Sequence, residues 1–198
     1  MQAQDSGVGR RLRSEKRAMK ELQDSSQIAA TLRANSRRET GWSTVADRSA
    51  DYGRLRAPGF EVSGSDLTTF STPVRGQLTV VESGKDIPFF IARIFYIYGA
   101  TKDCERGAHA HRETWQSFIA IKGNFSLELT DGYLRNTYML AEPNRVINVP
   151  PMIWARLYDF SDDAVCLVLA SSLYDPVDYI RQWDDYVSLV SEGPVRPK

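Results

Sequence analysis

Two textures divide the chain, and the boundary falls near residue 59. Beyond it, apolar and polar positions alternate with the period of two that places successive side chains on opposite faces of a strand. Residues 77–82 alternate this way and run into Ser83-Gly84-Lys85-Asp86, a turn signal. Residues 89–98 form a dense aromatic and β-branched run interrupted only by Ala92 and Arg93, and residues 117–121 read as a strand ending at Lys122-Gly123-Asn124. Residues 125–129 follow, with a hairpin signal at Asp131-Gly132. Residues 137–140 and 145–149 are short strands about Pro143-Asn144, and the wholly apolar run 165–170 predicts a buried strand. Short strands separated by Gly, Asp and Pro turns predict a sandwich or barrel. Residues 175–190 depart from this pattern. There Val177, Ile180, Trp183, Val187 and Val190 recur at a spacing that predicts a short amphipathic helix starting near Asp175 or Pro176.

Residues 1–59 lack such order. Leu12, Met19, Leu22, Ile28 and Leu32 recur irregularly within 10–32, a stripe too thin for a stable independent helix, and 41–59 read as a linker. The expectation is an N-terminal extension over 1–59, disordered or partly helical, ahead of one domain over 60–198. Charge follows the same division. Of 25 Lys+Arg and 25 Asp+Glu, 12 and 7 fall in 1–59, leaving 13 and 18 for the rest, so the two parts carry +5 and −5. A basic tail of this kind is expected to be solvated, with no nucleic-acid or membrane partner. The sequence has neither 18 consecutive apolar residues nor a signal-peptide core, which predicts a cytoplasmic protein. Cys104 and Cys166 show no CxxC spacing and suggest neither a zinc knuckle nor a redox pair.

The candidate chemistry lies in one stretch. The chain has only two histidines, His109 and His111, separated by Ala110. On a strand they point the same way, and two imidazoles facing a barrel interior offer a place for proton chemistry or a metal.

The spacing His109-x-His111, Gln116, Gly123 resembles the first conserved motif of the cupins, with Gln116 where metal-binding cupins carry Glu. A longer string extends the likeness: Arg93-Ile-Phe-Tyr-Ile-Tyr, Arg106-Gly-x-His-Ala-His, Asp159-Phe-Ser, Leu169-Ala-Ser and Tyr174-Asp-Pro-x-Asp-Tyr-Ile-Arg181. Together these resemble the dTDP-sugar 3,4-ketoisomerases (WxcM-like cupins of the FdtA/QdtA type) from about residue 60 to 190. The resemblance implies an all-β fold, the cupin double-stranded β-helix or jelly roll, with a short C-terminal helix. It also implies a homodimer that converts dTDP-4-keto-6-deoxyglucose to a dTDP-3-keto-6-deoxyhexose, for deoxyamino sugars and surface polysaccharides such as O-antigen. No metal or cofactor is implied, and the histidine pair supplies the acid–base group.

That chemistry suits the residues present. Moving a ketone from C4 to C3 requires a proton taken from C3 and one delivered to C4, and a base of near-neutral pKa serves best. His111 is the first candidate for the base, and His109 for orienting it or shuttling the second proton. Tyr96 is a candidate acid or donor to the developing oxyanion. Arg106 is a donor of the same type, and Arg93 and Arg106 are alternatively candidates for gripping the pyrophosphate. Gln116 is expected to hold a histidine tautomer or a sugar hydroxyl. With Glu replaced by Gln116 and no third histidine, no metal site is expected. One departure stands out: relatives carry histidine after the tryptophan of the segment that here reads Trp154-Ala155. Two rivals therefore remain. One is a nucleotide-sugar 3,5-epimerase, whose His–Asp pair finds no obvious Asp here; the other is a nucleotide-sugar-binding cupin whose catalysis has decayed.

Overall fold

The computed structural model describes residues 55–57 and 59–192. The predicted helix at 10–32, and most of the N-terminal extension with it, lie outside the described residues.

Two five-stranded sheets face each other. One takes the order β3-β11-β8-β13-β6, from Ser63–Asp66 (β3), Arg145–Val149 (β11), Gln116–Lys122 (β8), Val165–Ala170 (β13) and Arg93–Tyr98 (β6). The other runs β10-β9-β12-β7-β14, from Arg135–Leu140 (β10), Phe125–Thr130 (β9), Trp154–Tyr158 (β12), Arg106–His111 (β7) and Tyr179–Ile180 (β14). All these pairings are antiparallel. The chain crosses between the sheets repeatedly, which is the jelly roll expected. Two small ribbons precede it: β1 (Arg56–Ala57) with β2 (Phe60–Glu61), and a hairpin of β4 (Thr69–Thr72) and β5 (Gly76–Thr79).

Alternation sorts the apolar residues into three groups. Phe118 and Ala120 of β8, Phe125, Leu127 and Leu129 of β9, Ile147 and Val149 of β11, and Cys166 and Val168 of β13 meet between the sheets. The opposite face of the first sheet, with Ile119, Val146 and Leu169, is covered by Leu67, Ile87 and Phe89. The opposite face of the second is covered by helix α1 (Trp183–Ser191), whose Tyr186 is fully buried with Ala110, Trp154 and Ile180. Burying a ring of that size stabilises by about 2–3 kcal/mol. Its hydroxyl is satisfied too, donating to Thr130 O at 2.8 Å.

The predicted strands at 117–121, 125–129, 137–140, 145–149 and 165–170 all form. The helix predicted over 175–190 forms only in its second half. Its first half divides into a 3-10 turn at Pro176–Asp178, capped by the Asp175 carboxylate accepting from Val177 N at 2.9 Å, and strand β14. Pairing with β7 wins there, because it buries Ile180 against Ala110.

Candidate active site

The second sheet carries the site on its inner face. In β7, Gly107 (φ +82°) and Ala108 (φ +53°) both take left-handed backbone, and the register with β12 shifts there, Ala155 pairing with His109 and Arg156 with Gly107. This is a β-bulge, a device that re-aims neighbouring side chains. Glycine is required at 107 on two counts: the positive φ, and the Ala155 carbonyl oxygen, which would lie 2.8 Å from any Cβ. Beyond the bulge Ala110 faces the helix, so His109 and His111 face inward together, as strand parity predicts. Their Nε2 atoms stand 3.2 Å apart.

Each outer nitrogen is held. His109 Nδ1 donates to Gly107 O at 3.0 Å, a contact made by the bulge itself. His111 Nδ1 donates to Asp178 Oδ2 at 2.7 Å. Asp178 also accepts from the Thr114 hydroxyl at 2.6 Å and, on its other oxygen, from Glu113 N at 2.7 Å. Burial alone would raise the Asp178 pKa, but these donors, with His111, outweigh it and hold the carboxyl below its usual range. Burial lowers both histidines, and His111, further lowered by His109 and Arg93, is pushed down to about 4 despite its bond to Asp178.

An aromatic wall flanks the pair. The Tyr179 ring lies 4.3 Å from His111 and 4.9 Å from His109 between centroids, with the Arg181 guanidinium 4.3 Å over its centroid. Tyr174 lies 5.5 Å from Tyr179, and Arg93 sits 5.7 Å over the Tyr174 ring. Arg93 and Gln116 reach this region from the first sheet. Ala170 pairs with Gln116 on one side and Arg93 on the other, so all three occupy one row of that sheet. Gln116 is buried and, by alternation, shares the inner face with Phe118. The Arg93 Nε is buried without a hydrogen-bond partner among the described residues, which leaves a donor available to a ligand.

Of the sequence candidates, His109, His111 and Arg93 thus come together, and Gln116 lies on the inner face in the same row as Arg93. Arg106 lies at the exposed start of β7, and no described contact joins it to the pair. Tyr96 requires a correction. Phe95 and Ile97 pack inward, so Tyr96 alternates outward with Ile94 and Tyr98 and points away from the histidines of its own chain. The absence of an Asp partner for the histidines is also corrected, since Asp178 fills that role. Asp178 and Tyr179 stand inside the string Tyr174-Asp-Pro-x-Asp-Tyr-Ile-Arg181 that marked the resemblance. Nothing in spacing alone ties them to residues 67 positions earlier. Ala155 is buried on the inner face directly across from His109.

With the geometry in place, comparison with known proteins is informative. The family model FdtA (WxcM-like, C-terminal) matches residues 61–191. The TDP-4-oxo-6-deoxy-alpha-D-glucose-3,4-oxoisomerase of Aneurinibacillus thermoaerophilus is 37% identical over 118 residues, 60% of this chain and 85% of that protein. The crystal structure of a 3,4-ketoisomerase from Helicobacter canadensis shares 35% identity at a TM-score of 0.64, covering 66% of this chain and 98% of that one. The 3,4-ketoisomerase QdtA of Thermoanaerobacterium thermosaccharolyticum, solved as a histidine-to-asparagine variant with TDP-4-keto-6-deoxyglucose, shares 32% identity at a TM-score of 0.64. That match covers 66% of this chain and 94% of QdtA.

Proposed function

The chain belongs to the FdtA family (WxcM-like, C-terminal) and by that kinship is a sugar 3,4-ketoisomerase, and from this premise we propose how its residues do the work. The substrate is dTDP-4-keto-6-deoxyglucose and the product a dTDP-3-keto-6-deoxyhexose, a precursor of deoxyamino sugars for surface polysaccharide such as O-antigen. The observation that carries the reading is the inward-facing His109–His111 pair with Asp178 behind it. His111 is the base at C3: Asp178 accepts its Nδ1 proton and so leaves the Nε2 lone pair toward the substrate. His109, 3.2 Å away, handles the second proton. Arg93, with its unpaired Nε, supports the oxyanion or the diphosphate, and Gln116 a sugar hydroxyl. Tyr179 presents an aromatic face beside the pair.

The reaction needs no metal in this reading. Two imidazoles lack the third protein donor of a catalytic zinc site, and the nearest carboxylate is engaged on His111 Nδ1. Among the described residues no group of three or more His, Cys, Asp or Glu is disposed to hold an ion. The protein works in the cytoplasm as a homodimer. Ile94, Tyr96 and Tyr98 lie exposed on β6, an edge strand, and Phe70 and Leu78 on the β4–β5 hairpin, an apolar surface suited to a second copy. No helix among the described residues is long and apolar enough to cross a membrane.

A second reading is favoured by one observation. The His111–Asp178 bond is the kind of dyad a 3,5-epimerase uses, so its presence removes the argument against that activity. Proton NMR of dTDP-4-keto-6-deoxyglucose with chelator-treated protein in deuterated water separates the readings. Deuterium at C3 with a new 3-keto signal, absent with His111→Asn, is the expected result. Deuterium at C5 as well would establish the epimerase. No exchange, with dTDP still raising the melting temperature, would establish a decayed binding protein, and dependence on added metal would overturn the metal-free mechanism.

A further inference from the structure

The hydrogen-bond partners of the four imidazole nitrogens fix how many protons the pair holds. A carbonyl oxygen only accepts, so His109 Nδ1 must carry the proton it gives to Gly107. Asp178, with its pKa held down by its donors, is a carboxylate and only accepts, so His111 Nδ1 carries a proton as well. In two neutral rings both Nε2 atoms would then present lone pairs to each other at 3.2 Å. Two lone pairs at that distance repel, whereas one proton between them makes an N–H···N hydrogen bond.

We propose that His109 and His111 hold a single proton between their Nε2 atoms, and that Asp178, itself fixed by Thr114 and the Glu113 amide, is the positioning residue that sets this arrangement. The pair is a monocation facing one carboxylate. The other groups around it limit it to one proton. Burial disfavours further positive charge on both rings, as do Arg181 on His109 and Arg93 on His111, and the Tyr179 ring lies against both imidazoles. Burial first, and then the charges of His109 and Arg93, push His111 down to about 4, so a second proton is resisted.

When the N–H···N bond opens, one ring keeps the proton and the other has a bare Nε2, so the pair can act as base and acid in one turnover; this use rests on the isomerase reading above. The C3–H bond breaks, its proton goes to the free Nε2 and its electrons form the C3=C4 bond. The shared proton goes to O4, giving a neutral enediol. On the return the pair takes the proton from O3 and delivers one to C4, which leaves C3=O, a C4 hydroxyl and one proton on the pair. No external acid or base is consumed.

The test is two-bond 1H–15N correlation on the chelator-treated full-length protein, labelled with 15N-histidine, near neutral pH and without substrate. The expected spectrum shows both Nδ1 atoms protonated, both Nε2 atoms at shifts between protonated and bare, and one far-downfield proton. That proton should vanish in His109→Asn and His111→Asn. Asp178→Asn should abolish it and move the acid limb of the kcat/KM profile, while Asp178→Glu restores part of both; a merely structural role would leave the pH profile in place. Two bare Nε2 signals in the wild type, or a bare Nδ1 on either ring, would overturn the proposal. Because the spectrum is taken without substrate, a shared proton with no turnover would sink the isomerase reading alone. Turnover with two neutral rings would sink the shared proton alone.

Discussion

Two carboxylates lie on opposite faces of the same sheet, and they are held differently. On the outer face Glu128 of β9 is met by permanent cations: Arg156 Nη2 at 3.1 Å on one oxygen and Arg135 Nη1 at 3.4 Å on the other. Arg156 reaches on to Glu105 at 3.2 Å and lies over the Tyr158 ring at 4.8 Å. On the inner side Asp178 is met by a hydroxyl, a backbone amide and an imidazole, and only the imidazole titrates. A guanidinium stays charged at any working pH, so the outer cluster ties β9, β10 and β12 to one another. The inner cluster uses an imidazole, a group that can take up a proton and give it away. The difference lies in the partner, since both acids are largely buried.

Exchanging each acid for its amide should separate the two roles most sharply. Asp178→Asn should lower kcat by about 10²-fold or more, within the range for losing a positioned acid–base group, with little change in dTDP binding. Glu128→Gln should do the reverse. It leaves two arginines short of a partner and should cost about 1–2 kcal/mol in urea unfolding, with kcat within about twofold of wild type. Equal loss of stability and of activity in both variants would erase the contrast.

The next effect concerns pH. The folded chain holds His111 near 4, whereas the unfolded chain binds its proton around 6.5. Between those values the unfolded state carries the extra proton, so the contribution of His111 to stability is complete above pH 6.5 and falls as pH drops toward 4. The loss amounts to about 3 kcal/mol at the lower end. The lowered Asp178 pKa acts in the same direction at still lower pH, where protonation of the carboxylate removes its bonds. Urea midpoints measured from pH 7 to 4 should trace this decline in wild type and in Glu128→Gln, and should be flatter in His111→Asn. An identical slope in His111→Asn would place the linkage elsewhere.

These contrasts also mark what the sequence could disclose. The inward histidines follow from parity, since two positions on a strand share a face if they differ by two, and the bulge at Ala108 leaves that relation intact. The acid behind them does not follow. Asp178 precedes a strand only two residues long, too short for any period, and the spacing of Val177, Ile180 and Trp183 imitates a helix. In the fold Val177 is exposed while Ile180 is buried, so the shared stripe that spacing suggests does not exist. Ala155 meets His109 only through the register of β12 on β7, which no local pattern encodes.

Tyr96 is different, because parity alone could have placed it. Arg93 and Tyr96 are three positions apart on β6 and must face opposite ways; with Arg93 over the Tyr174 ring beside the site, Tyr96 is outside it. Tyr96→Phe should therefore leave kcat and the deuterium-exchange pattern within about twofold of wild type, since a change at an exposed position moves stability by roughly 0.5 kcal/mol or less. Tyr96→Glu tests the other role of that face. In the proposed homodimer, a charge among Ile94, Tyr98 and the apolar surface of a second copy should shift the protein from dimer to monomer in light scattering. A tenfold loss of turnover in Tyr96→Phe, with the dimer intact, would return the hydroxyl to the reaction. It could then act only on the histidines of a partner subunit, because its own strand turns it away from those of its own chain.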